Sequence, residues 1–173
     1  MNIKEAMASY FLKLEELYRE NFGTIPTVSW SEEMDQELFI GEPDEDGEIQ
    51  WKPKEAILIS SSKLCDELID FYSSYYYWEL KGKYKEVTFI FPAVPSYKKT
   101  NEILKAAIDQ GNYYFPNENI AFLASCYSNG NDDLLLFFMQ KTGELFLYDI
   151  DKKDNMLLDY SLIDLISSME AVI

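Results

Sequence analysis

Histidine is absent from this chain of 173 residues. With it go the commonest general base and metal ligand. Ser-His-Asp triads, Cys-His pairs and histidine-held metals are excluded by that one count. Cysteine is scarce: only Cys65 and Cys126 are present. Two thiols make neither a disulfide framework nor a metal cage. Both sit in apolar contexts and read as reduced core residues. Positive charge is also short, with 15 Lys and Arg against 31 Asp and Glu and a formal net charge of −16. Nucleic-acid binding needs clustered cations to neutralise phosphates, so the balance argues against it. Anionic membrane surfaces repel such a chain in the same way. No apolar run approaches the roughly 18–20 residues of a membrane span. Met1-Asn2-Ile3-Lys4-Glu5 lacks the basic and then apolar plan of a signal peptide. The expected location is the cytoplasm, with no direct membrane insertion and at most peripheral contact with the cytosolic face of the plasma membrane.

Apolar residues are plentiful. Hydrophobic residues make up 47% of the chain and aromatics 16%, which predicts a packed globule and not an acidic disordered tail. The length suits one domain with one core, spanning residues 1–173. The negative charge is unevenly spread. Between Trp30 and Trp51 lie Glu32, Glu33, Asp35, Glu37, Glu42, Asp44, Glu45, Asp46 and Glu48, with no Lys or Arg among them. Nine of the 16 net negative charges therefore fall in this one stretch, and seven remain for the rest. Gly41, Pro43 and Asp46-Gly47 break any helix there. Leu38-Phe39-Ile40 and Ile49 with Trp51 supply apolar flanks. The pattern predicts an acidic ribbon pinned at both ends and offered to a positively charged surface.

In chain order, Ile3, Met7, Tyr10, Phe11, Leu14, Leu17, Tyr18 and Phe22 recur at helical spacing, so residues 3–22 are expected to be an amphipathic helix. Gly23 is its C′ residue and Pro26 its stop. Residues 27–37 read as irregular. Leu38–Ile40 and Ile49–Trp51 read as short strands around a tight Asp46-Gly47 turn. Ser60-Ser61-Ser62 offers N-caps for a second helix over residues 63–74. Tyr75–Leu80 and Tyr84–Phe91 form an expected hairpin about Lys81-Gly82. A third helix is expected over residues 101–110, stopped by Gly111. Strands follow over 120–126, 134–139 and 145–150, the middle one apolar throughout and expected to be central. Ser161 with Asp164 opens a C-terminal helix in capping-box fashion. About six strands and three or four helices without β-α-β alternation predict an α+β fold, a mostly antiparallel sheet with helices packed against it.

Several runs resemble the Syd family, whose members associate with the SecY subunit of the protein translocation channel. They are Leu38-Phe39-Ile40-Gly41, Asp46-Gly47-Glu48-Ile49-Gln50-Trp51-Lys52-Pro53, Phe71-Tyr72-Ser73-Ser74-Tyr75-Tyr76-Tyr77-Trp78 and Leu80-Lys81-Gly82-Lys83-Tyr84. The Thr142-Gly143-Glu144 turn, with the closing helix, sits where that family places its last hairpin. The resemblance extends from Gly23 to the C-terminus. It implies a Smi1/Knr4-like α+β fold, no catalysis and an acidic partner-binding face. Many bacterial members of that wider superfamily look like immunity proteins against secreted toxins.

The candidate partner-binding residues are Glu37, Glu42, Asp44, Glu45, Asp46 and Glu48, with Trp51 and Trp78 as aromatic anchors. The plainer reading of the acids is a solvated loop, and of the tryptophans, core. Calcium competes for the same loop, because Glu42-x-Asp44-x-Asp46-Gly47 resembles the first half of an EF-hand. Its first ligand is Glu, however, and its twelfth position, where a bidentate Glu belongs, is Pro53. An enzyme here must work with carboxylates alone, and no phosphate loop or nucleophile elbow is present. The expectation is therefore a non-catalytic binding domain without cofactor or metal. Its expected partner is basic: a toxin domain first, or the Lys/Arg-rich cytosolic loops of SecY. A calcium- or carbohydrate-binding protein is the alternative from another class.

Overall fold

A computed structural model describes residues 1–173. Helix α1 (Ile3–Phe22) has the predicted bounds. Asn2 caps it reciprocally: its Oδ1 accepts from the Glu5 N–H at 2.9 Å, and the Glu5 carboxylate accepts from the Asn2 N–H at 2.8 Å. Gly23 ends it in the left-handed conformation, φ 68°, where a Cβ is unfavourable. Ala6, Met7, Tyr10, Phe11, Leu14 and Tyr18 form its buried stripe.

The chain then makes β1 (Thr27–Ser29), β2 (Phe39–Ile40), β3 (Glu48–Trp51), β4 (Lys54–Glu55), α2 (Asp66–Tyr72) and β5 (Tyr75–Tyr76). Next come β6 (Leu80–Tyr84), β7 (Val87–Phe91), α3 (Tyr97–Tyr114), β8 (Ile120–Ser128), β9 (Asn131–Met139) and β10 (Glu144–Asp149). The last elements are β11 (Asp154–Leu157), α4 (Leu162–Ser168) and β12 (Glu170–Ala171). Seven strands form an antiparallel sheet in the order β11-β10-β9-β8-β7-β6-β12. A small sheet, β1-β3-β2, and the β4-β5 pair stand beside it. The architecture is α+β, as expected.

Strand alternation separates two apolar layers. Leu136, Phe138, Leu145 and Leu147 point into the main core, which they share with α1, α2 and α4. Phe122, Leu135, Phe137 and Phe146 point the other way and meet Tyr114 and Phe115 at the end of α3. Phe115 lies edge-on to both Phe137 and Phe146, at 5.2 Å between centroids. Burying each such ring contributes roughly 1.5–3 kcal/mol. A pair of hydrogen bonds ties α1 to β6: Tyr10 Oη donates to the Lys81 carbonyl and accepts from the Lys81 N–H, both at 2.8 Å.

Several local expectations change. Thr27–Ser29, in the stretch read as irregular, is strand β1, and Tyr75–Tyr76 pairs with β4 and not with β7. The β6–β7 turn falls at Lys85-Glu86, because Tyr84 pairs with Val87. Gly82 lies inside β6, where a Cβ would come within 2.9 Å of the Met169 Cβ. Helix α3 runs through Gly111 to Tyr114, and there a Cβ would stand 1.8 Å from the Ile120 carbonyl oxygen. Both glycines serve close backbone approach, not termination. Helix α2 starts at Asp66 behind Cys65, and the Ser60–Ser62 run lies in the preceding loop. Residues 134–139 belong to an interior strand, but the middle of the sheet is β8.

Candidate functional site

The acidic stretch folds as a hairpin on the small sheet. Strand β3 is the middle strand, with Val28 opposite Ile49 on one side and Phe39 opposite Trp51 on the other. The root is apolar. Leu38, Ile49 and Trp51 are buried, and Trp51 lies edge-on to Phe11 of α1 at 6.4 Å. Phe39 stacks on Trp78 at 5.5 Å with the planes 16° apart. The Trp51 N–H donates to the Pro26 carbonyl, and the Lys52 N–H to that of Leu38.

The tip is held by its own backbone. Asp44 Oδ1 accepts from the N–H groups of Asp46 at 3.0 Å and Glu48 at 2.9 Å. The Asp44 carbonyl accepts from Gly47 at 3.1 Å. This is an Asx-type turn, completed by Gly47 at φ 77°. The Trp30 N–H donates to the Gly47 carbonyl at 2.8 Å, so the tip lies against the start of the 31–37 loop.

The six carboxylates singled out by sequence divide into two groups. Glu37 pairs with Lys54 at 3.0 Å. Glu48 accepts from the Ser29 hydroxyl. Asp44 is committed to the turn. Glu42, Glu45 and Asp46 are exposed, and their side chains hold no ion pair or hydrogen bond. Glu32 and Glu33, on the neighbouring loop, are equally exposed. The calcium-like spacing is thus spent on a turn, and no three His, Cys, Asp or Glu side chains of the molecule converge as a metal cage.

The two tryptophans also divide. Trp51 is fully buried, 0% exposed. As an anchor for a partner it is corrected: it holds the hairpin to the core, and no face of it reaches the surface. Trp78 is partly exposed. It floors a groove of about 380 Å³ between the 31–37 loop and the start of α3. Glu33, Met34 and Asp35 form one wall, and Pro95, Lys99 and Ile103 the other. Lys99 is tied to Glu102 at 3.2 Å. Residues 93–103 carry no sequence signal for this role, because nothing in their spacing ties them to the 31–37 loop.

Next to Tyr18 sits Glu79, half-buried. Burial raises its pKa above the usual carboxylate value, and the Lys81 charge and the Tyr18 hydroxyl only partly offset that. Tyr18 Oη lies 3.4 Å from this carboxylate and 3.5 Å from the Thr27 carbonyl, so it links α1, the small sheet and the segment leading into β6. No helix is long and apolar enough to cross a membrane. The fold and site define an α+β domain with an acidic hairpin beside an aromatic-floored groove. No protein-family model matches this chain, and no curated protein matches it.

Proposed function

We propose that this protein is a non-catalytic binding domain whose acidic hairpin captures a basic protein. One observation carries the reading. Glu42, Glu45 and Asp46 stand exposed and unpaired on a hairpin whose shape is fixed by Asp44, Gly47 and the buried Trp51. Clustered like charges repel each other and oppose compaction. A rigid mount that keeps them unpaired favours a role in attraction, where such charges raise association rate and select partners. The absence of histidine from the chain fits a protein that works by contact.

Toxin neutralisation by an immunity protein is the first form of this reading, since a basic toxin domain complements the hairpin. Association with the cytosolic loops of SecY is the second, favoured by the resemblance to the Syd family. Part of that resemblance rests on Phe71, Tyr72, Tyr76 and Tyr77, which are core residues and bear on fold more than on partner.

The test is capture of a basic toxin domain encoded beside this gene, compared with the isolated SecY cytosolic loops. Affinity for the true partner is expected to fall steeply with added salt. It should be lost on combined reversal of Glu42, Glu45 and Asp46 to Lys. Binding that ignores both salt and reversal removes the hairpin from the function.

A further inference from the structure

The groove beside the hairpin has features that a solvated acidic loop does not need. Its floor is Trp78, whose ring is already stacked on Phe39 and so fixed in place. Met34 and Ile103 add apolar surface on opposite walls. Glu33, exposed and without an ion pair, stands on the rim beside Asp35. The one cation on the lining, Lys99, has its ammonium engaged by Glu102 at 3.2 Å. The groove therefore combines a rigid aromatic and aliphatic floor with uncompensated negative charge at one lip. At about 380 Å³ it lies near the small end of ligand pockets, roughly 300–1,000 Å³. That is room for one or two side chains, not for a folded surface.

We propose that this groove is the anchor subsite for the basic partner. It takes a Lys or Arg side chain from an extended segment. The apolar stem packs on Trp78, Met34 and Ile103, and the cationic head reaches Glu33 and Asp35. Long basic side chains suit this division, since their methylenes bury while their charge stays wet. A guanidinium over indole gains a further cation–π attraction. The idea rests on the reading of the hairpin as a capture surface and adds where the captured chain is gripped. The hairpin draws the partner in, and the groove fixes its register.

The test uses the full chain labelled with nitrogen-15. Its three tryptophans, Trp30, Trp51 and Trp78, give three indole N–H signals. The probe is the acetylated and amidated pentapeptide Lys-Leu-Arg-Leu-Lys, with Glu-Leu-Glu-Leu-Glu as control. Expected is a saturable shift of the Trp78 indole signal, an unmoved Trp51 signal and no response to the acidic peptide. Glu33→Lys is expected to weaken the basic probe about tenfold, equivalent to 1.4 kcal/mol. Glu45→Lys makes the same charge change away from the groove, and less than about threefold is expected, as for an exposed charge. Ala93→Trp, which fills the groove without a change of charge, is expected to abolish the Trp78 shift. Two results overturn the proposal in distinguishable ways. If the basic probe binds and Glu33→Lys and Glu45→Lys weaken it equally, with Trp78 silent, the groove is not the anchor but the hairpin reading stands. If the basic probe does not bind at all at low salt, both fall.

Discussion

The β9–β10 hairpin pairs Leu134 through Met139 with Glu144 through Asp149 in continuous register. Leu135–Phe138 and Leu145–Leu147 are buried, on both faces of the sheet. The β2–β3 hairpin pairs only Phe39 with Trp51 and Ile40 with Gln50; beyond that root β3 leans on β1 through Ile49 and Glu48, and residues 41–46 between the strands are mostly exposed. The first hairpin is held by the molecule around it. The second is held by the short β1 strand along one side, by Asp44 and Gly47 at its tip and by Trp51 at its base. Each has a tight turn, so turn chemistry does not separate them. What separates them is where stability is invested: in side-chain burial for one, largely in backbone geometry for the other, leaving Glu42, Glu45 and Asp46 free. The division teaches that the charged end can change without loss of the fold, while the aromatic end cannot.

The largest effect is expected where the backbone of α3 touches β8. Gly111→Ala places a methyl group 1.8 Å from the Ile120 carbonyl oxygen. The cost is expected to exceed the 1–3 kcal/mol typical of overpacking, and urea denaturation should find little folded protein. Trp51→Ala comes next, at about 3–5 kcal/mol for a fully buried aromatic, seen as a lower urea midpoint. If it proves mild, the hairpin does not depend on its root, and the contrast drawn here fails. Asp44→Ala should cost about 1 kcal/mol, as loss of a capping carboxylate does, and should loosen the tip in amide hydrogen exchange. The triple reversal of Glu42, Glu45 and Asp46 to Lys should change stability least, within about 0.5 kcal/mol, despite abolishing capture.

Glu79 sharpens the same contrast through pH. Its folded pKa is raised, chiefly by burial, so the native state disfavours its ionised form. That cost is fully present above the raised pKa. It is relieved as pH falls through that value and is gone below the ordinary carboxylate value of 4.5. Glu79→Gln should therefore be more stable than the parent at neutral pH, with the difference closing in acid. Urea midpoints at a series of pH values measure it. A difference that grows in acid has the wrong sign.

Patterns short in sequence were legible and distant contacts were not. The stripe of α1, its end at Gly23, and the Ser161–Asp164 box that opens α4 all follow from neighbours a few residues apart. So does the acidic hairpin with its Asp46-Gly47 turn. Gly82 and Gly111 were misread because a glycine that admits a distant backbone looks, from sequence alone, like one that turns the chain. Strands β11 and β12 escaped notice because Asp154-Asn155 is polar and Glu170–Ala171 has only two residues. Their strand character comes from β10 and β6 beside them. Trp51 and Trp78 looked alike in sequence. One faces α1 and the other a groove, and only the packing of β3 and α3 decides which.

The most direct test of the account is the affinity of the Lys-Leu-Arg-Leu-Lys probe across ionic strength, for the parent and for the Glu42, Glu45 and Asp46 reversal. Between about 0.01 and 0.15 M salt the screening length falls from about 30 to about 8 Å. Expected are a steep loss of affinity for the parent over that range and, for the reversed protein, a markedly lower affinity at low salt that changes little with salt. Equal affinity for the two proteins, or a parent affinity flat in salt, would contradict it.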